Sequence, residues 1–303
     1  MSELSSPPHL VSPPSPRFSR RIRRAVNQGI KYLLAGLLVI FAIFPAFWVV
    51  AASFNPAKSL TGGNLWPENA GLTNYGDLLN HEFFPFTTWL LNSFKITLIS
   101  VSVIVFITCI TGYALSRFRF AGRRQLMTAI LIINIFPAIL AIVAIFAMMQ
   151  QIGTYVPAIG FNTHGGLIFV YVAGAMGINV LLMKSYIDAI PVEVDESALV
   201  DGATHWQVFW RIIFPMIRPI VITIAVLSFF AIYGDFIIAR VLLKSSDQLT
   251  VMVGLMLFQT SRFDQDWGII TAGAVMAALP IVLIYLPLQG YVISGLTAGS
   301  VKG

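Results

Sequence analysis

Six apolar runs set the terms on which this chain can fold. They lie at about residues 30–52, 94–115, 126–149, 166–184, 219–243 and 268–293. Each is long enough to cross a hydrocarbon core, which takes about 20 residues as helix. The runs are continuous rather than alternating, so they do not read as barrel strands, and an α-helical bundle is the remaining backbone solution in lipid. Of the 303 residues 57% are hydrophobic and only 11% are charged, against about a quarter in soluble domains. A water-soluble enzyme of this length could not hide so much apolar surface in one core. The single Cys109 sits inside an apolar run, which excludes an intrachain disulfide and a cysteine metal cluster.

Charge sets the expected orientation. The net charge of +6 fits membrane topology better than nucleic acid, because the Lys and Arg residues are sorted by loop. Fourteen fall before span one, at its start, in the 2–3 and 4–5 loops and in the tail; five fall on the other side. Both termini are therefore expected in the cytoplasm. Residues 1–29 are rich in Ser, Pro and Arg and are expected to be a disordered cytoplasmic tail, with 30–303 as the transmembrane domain. The first run is longer than a signal-peptide core and reads as a retained span.

Several chemistries are missing. No Lys follows a Gly, so there is no phosphate-binding loop, and neither a zinc-protease motif nor a nucleophile elbow occurs. The chain is therefore expected to be non-catalytic, with no metal site. Asn134 and Asn179 fall inside spans and read as interhelical hydrogen-bonding groups, while Asp235 falls near the outer end of span five. A stand-alone secondary transporter would want an acid or a His at the midplane, and none is evident. Pro45, Pro137, Pro280 and Pro287 should kink their spans. Gly174, Gly177, Gly268, Gly273 and Ala277 suit close helix packing.

The loop at 185–218 is unlike the others. It holds Glu193, Asp195, Glu196 and Asp201, with Asp188 at its start. Pro191 suits the first turn of a helix, and acidic residues come next, where the helix dipole favours them. Gly202 can end that helix in a left-handed conformation, and Thr204 with Gln207 makes a capping box for a second. Trp206, Phe209, Trp210 and Ile213 recur at helical spacing as its apolar face. A helix–turn–helix with an acidic first arm would be repelled by anionic lipid, and so points to a protein partner.

Residues 196–215 read E-S-A-x(3)-G-x(9)-I-x-F-P. This resembles the E-A-A-x(3)-G-x(9)-I-x-L-P loop of ABC importer membrane subunits, with Ser197 for Ala and Phe214 for Leu. The segments 160–166, 117–122 and 295–303 resemble the MalG-type permeases of maltose/maltodextrin importers, and the similarity runs from about residue 30 to the end. The resemblance implies a type I ABC importer permease fold with six transmembrane helices in a bacterial inner membrane. It implies that Glu196, Ser197, Ala198, Gly202, Ile212 and Pro215 dock on a cytosolic ATPase, and that Ser300, Val301, Lys302 and Gly303 of the tail (294–303) reach it too. On the outer side, Arg262, Asp264 and Asp266 in the loop from Ser245 to Trp267 would meet a sugar-binding protein. The implied partners are a second permease, two ATPase copies, that binding protein and membrane lipid, without nucleic acid. ATP and Mg would be bound by the ATPase, and no cofactor by this chain. The same role for another sugar is the nearest alternative.

Overall fold

A computed structural model describes residues 17–57, 66–135, 137–260 and 266–297. The chain divides into two units, Met1–Val49 and Val50–Gly303. The first helix, α1 (Arg17–Ser53), begins inside the segment expected to lack structure. Arg is a good helix former, and the apolar run beyond it carries the helix onward. Its apolar side chains over 26–47 are exposed, Phe41 to 80%, as lipid-facing groups are. Pro45 is accommodated within the helix.

From Val50 onward, short α2 (Thr73–Leu79) leads into α3 (Phe86–Arg117). Asn74 of α2 donates to the carbonyls of Ser53 and Asn55 at 3.0 and 2.9 Å, satisfying groups that a helix end leaves open. Next come α4 (Arg123–Ile135), α5 (Ile142–Tyr155) and α6 (His164–Asp188). The loop after α6 contains α7 (Val192–Val200), α8 (His205–Val208) and α9 (Phe214–Met216). Beyond it lie α10 (Arg218–Tyr233), α11 (Ile237–Leu242), α12 (Val251–Thr260) and α13 (Trp267–Thr297). The main packing is α3 against α6, with α10 against both α13 and α3.

Among the described residues four continuous helices are long and apolar enough to cross a membrane: Val26–Ser53, Phe86–Arg117, His164–Asp188 and Trp267–Tyr291. Two bent pairs bring the number to as many as six. The third expected span is one of them, Arg123–Ile135 meeting Ile139–Tyr155 at 86°. Pro137 is the physical cause, since it disfavours helix in the residue before it. Pro280 and Pro287 lie within α13 without ending it.

The fifth run, expected as one helix over 219–243, is broken between Tyr233 and Ile237. Asp235 explains the break. Its Oδ1 accepts from Ala239 N at 3.0 Å and from the Tyr171 hydroxyl at 2.8 Å, so its carboxylate satisfies an open N–H in the first turn of α11 from just before that helix. The segment from Ser245 to Trp267, expected as an external connector, contains α12. That run is too short to span and buries Val251, Val253, Leu255 and Phe258 instead. Gly254 lies flat against the Trp89 ring, and a Cβ there would stand 2.0 Å from Cε3.

The small residues divide. Gly177 packs on Asn134, Gly268 on Asn74 and Gly273 on Leu255, whereas among the described residues a Cβ at Gly174 would meet nothing within 4 Å beyond its own stretch of helix. Asn179 donates across to Ser228 Oγ at 3.3 Å, as expected of an interhelical bond. Asn134 bonds instead within its own helix, to the Ile130 carbonyl at 2.7 Å.

Candidate partner-docking site

The loop after α6 folds as its local signals dictate. Pro191 precedes α7, Glu193 and Asp195 occupy its first turn, and Gly202 closes it at φ +87°. Ala203 N donates to the Ala198 carbonyl at 3.0 Å and Gly202 N to that of Leu199 at 3.1 Å. This pair of bonds is the glycine-dependent helix stop, and only glycine takes that φ without strain. Thr204 and Gln207 then cap α8 reciprocally: Gln207 N donates to Thr204 Oγ1 at 3.3 Å and Thr204 N to Gln207 Oε1 at 2.8 Å.

The apolar face of the second arm departs from the expectation. Residues Phe209–Ile213 form a π-helical turn, in which Phe214 N donates to the Phe209 carbonyl. The extra residue in that turn rotates α8 on one side relative to α9 on the other. Val208, Phe209, Ile213 and Ile217 are buried together with Cys109, Tyr113, Met183 and Ile187. Trp206, expected on that face, is 60% exposed.

The five acids of this region sort into two groups. Glu193, Glu196 and Asp201 are exposed, as are Ser197 and Gly202; Ala198 and Ile212 are half-buried and Pro215 is exposed. Among the described residues Glu196 has no ion-pair partner within the chain. Val200, on the same side of α7, is 87% exposed.

Asp188 and Asp195 are instead paired within the chain, Asp195 buried and Asp188 still exposed, a division the acidic run alone does not reveal. Ser116 Oγ donates to Asp188 Oδ1 at 2.6 Å, and Lys184 pairs with Asp188. Arg117, the last residue of α3, forms an ion pair with Asp195, each side chain 7% exposed, and its Nη2 donates to the Ile190 carbonyl at 3.0 Å. Burial pushes the Asp195 carboxyl above its usual pKa, while the Arg117 guanidinium beside it pulls the other way.

The other end of α3 holds a strap at 244–251. Trp89 Nε1 donates to the Ser246 carbonyl at 2.7 Å, and Asn92 Nδ2 to those of Asp247 and Leu249 at 2.8 and 3.1 Å. Ser93 Oγ accepts from Val251 N at 2.7 Å. Asn162, at φ +58°, accepts from Lys244 N and Ser245 N at 2.8 and 3.0 Å. His164 meets the Gln248 carbonyl through Nε2 at 2.9 Å. The strap leads through α12 toward residues 261–265. Arg262 and Asp264 lie outside the described residues, as do Ser300, Val301, Lys302 and Gly303 of the tail. Asp266 is described and buried, and its Oδ1 accepts from Ile269 N at 3.2 Å, so within this chain it starts α13.

The chain is similar to several known proteins. The chain is 38% identical over 274 residues to the maltose/maltodextrin transport system permease protein MalG of Vibrio vulnificus (strain YJ016), covering 86% of this chain and 91% of that one. It is 33% identical over 284 residues to the galactooligosaccharides transport system permease protein GanQ of Bacillus subtilis (strain 168), covering 93% and 98%. In fold it matches a chain of a bacterial ABC transporter involved in the import of the acidic polysaccharide alginate. The TM-score is 0.75, at 24% identity, covering 92% of this chain and 99% of that one. Residues 104–296, from the middle of α3 to the end of α13, match one family throughout. The chain belongs to the family of binding-protein-dependent transport system inner membrane components.

Proposed function

We propose that the chain is one permease subunit of an ATP-driven importer for maltose and maltodextrins, forming half of the translocation pathway in a bacterial cytoplasmic membrane. The observation that carries this reading is the outward side of α7, where Glu193, Glu196 and Asp201 stand exposed beside an 87% exposed Val200. Unpaired acids around a solvent-exposed apolar side chain suit a basic, partly apolar cleft on another protein. In this reading the cleft belongs to a cytosolic ATPase, present in two copies, which binds ATP and Mg. The tail, Ser300 to Gly303, reaches the same ATPase. A second permease completes the pathway.

At the opposite end, an extracytoplasmic sugar-binding protein meets residues 261–265, with Arg262 and Asp264 in the contact and Asp266 anchoring it from below. ATP-driven closure of the ATPase pair shifts α7, and the bundle exchanges its inward-open and outward-open forms.

The test is Glu196→Lys in the assembled transporter. The expected outcome is loss of co-purifying ATPase together with loss of labelled maltodextrin uptake. Uptake that persists without bound ATPase, or without ATP, would instead identify a self-sufficient transporter. The galactooligosaccharide relative favours a second reading, the same role for another oligosaccharide. Competition of unlabelled oligosaccharides against the maltodextrin signal separates the two.

A further inference from the structure

The docking helix has two working sides only one residue apart. Glu196 faces out, while Asp195 faces Arg117 with both side chains 7% exposed. Adjacent residues on a helix differ by about 100° in direction, so one short helix presents one acid to solvent and the next to its own transmembrane bundle. Among the described residues neither Asp195 oxygen has a hydrogen-bond partner, and the ion pair with Arg117 is its one charge contact. The guanidinium is therefore what compensates that buried charge.

Arg117 is also tied to the turn that enters α7, through the Ile190 carbonyl, and its neighbour Ser116 is tied to Asp188 at the end of α6. Three contacts thus gather the ends of α3 and α6 and the start of α7 at one point. The covalent links into and out of α7 are slight by comparison: Ala189 to Pro191 on one side, and the Gly202 turn on the other.

We infer that the Arg117–Asp195 pair is a positioning clamp that makes α7 move as one body with α3, so that displacement of the docking helix is delivered to the transmembrane bundle. This inference rests on the docking reading above. Apolar contacts of Val194, Ala198 and Leu199 with the neighbouring core hold α7 against the bundle. A directional, desolvated ion pair adds resistance to sliding and rotation, because misalignment leaves a buried charge unpaired.

The experiment uses the complete transporter in proteoliposomes with labelled maltodextrin. Three quantities are read for Arg117→Met, Asp195→Asn and the exchanged pair Arg117→Asp with Asp195→Arg: ATPase retained on the tagged permease, ATP hydrolysed, and maltodextrin taken up per ATP. With the clamp broken, the ATPase stays bound and hydrolysis continues, while uptake per ATP falls about tenfold in Arg117→Met. The exchanged pair recovers part of that loss. Should Arg117→Met fail to assemble, the isosteric Asp195→Asn carries the test, with a smaller fall in the same ratio. An unchanged ratio in both single variants overturns the clamp. So does parallel loss of ATPase binding, hydrolysis and uptake, which would make the pair a support of the docking surface only. Failure of the docking reading is separate, since it appears as Glu196→Lys leaving the ATPase attached.

Discussion

The two ends of α3 are held by different kinds of bond. At the α7 end the fastening is ionic and concentrated: Arg117 on Asp195, with Lys184 and Ser116 on Asp188. At the strap end it is neutral and distributed, with Trp89, Asn92, Ser93, Asn162 and His164 each taking one or two backbone groups of residues 244–251. Removing a partner from a buried ion pair strands a charge, whereas removing one neutral bond among many leaves the rest in place. The α7 end is thus built to fail all at once and the strap end by degrees. The first suits the clamp inferred above; the second suits a fixed face.

The largest effect should come from Arg117→Met, which leaves Asp195 buried and unpaired. Its expected loss of stability is about 3 kcal/mol, read as a shift of the thermal unfolding midpoint in detergent. A loss no greater than that of Trp89→Phe, which removes one neutral bond, would erase the contrast between the ends. Asn162→Ala should come next, at about 2 kcal/mol, because it removes several hydrogen bonds and puts a Cβ residue with no local hydrogen bond at positive φ. Asn162→Gly should regain the backbone part of that loss. Equal losses for Ala and Gly would assign the whole effect to the hydrogen bonds.

A smaller change, about 1 kcal/mol, is expected for Thr204→Ala, which dismantles the α8 capping box. Its clearest readout is faster amide exchange at Gln207 and Val208.

The smallest effect separates the two ends by pH. The Asp195 carboxyl has its pKa raised by burial, against the pull of Arg117. A carboxyl raised in the folded state favours folding below its ordinary pKa and loses that contribution as pH rises through the raised value. Measured against Asp195→Asn, wild type should therefore gain relative stability as pH falls from neutral into the acid range. The opposite slope would mean that the guanidinium outweighs burial.

Where the sequence was informative, its signals were local. Pro191, Gly202 and the Thr204–Gln207 box each act within a few residues, and the loop folds accordingly. Pro137 likewise announced the bend in the third run. The pairing of Arg117 with Asp195 left no such trace, because its partners come from separate helices and Asp195 looks like any other acid in its run. The π-helical turn at Phe209–Ile213 was hidden for another reason: a 3.6-residue period is the wrong ruler for five residues wound more widely. Asp235 was visible as a costly group near a helix end. Its consequence, a severed helix, depended on Tyr171 and Ala239 being there to receive it. Two functional assignments drawn from family likeness, Arg262 with Asp264 and the Ser300–Gly303 tail, fall outside the described residues.

The contact of Gly254 with Trp89 bears on how sequences of this kind can drift. A Cβ at 254 would stand 2.0 Å from the indole carbon, so no other residue can enter while the tryptophan remains. Shrinking Trp89 first would open the space but also surrender its bond to Ser246. The two positions can therefore change only in a fixed order, through an intermediate poorer than either end point. A lineage that has acquired this pair is held to it by its own history, whatever sugar it carries.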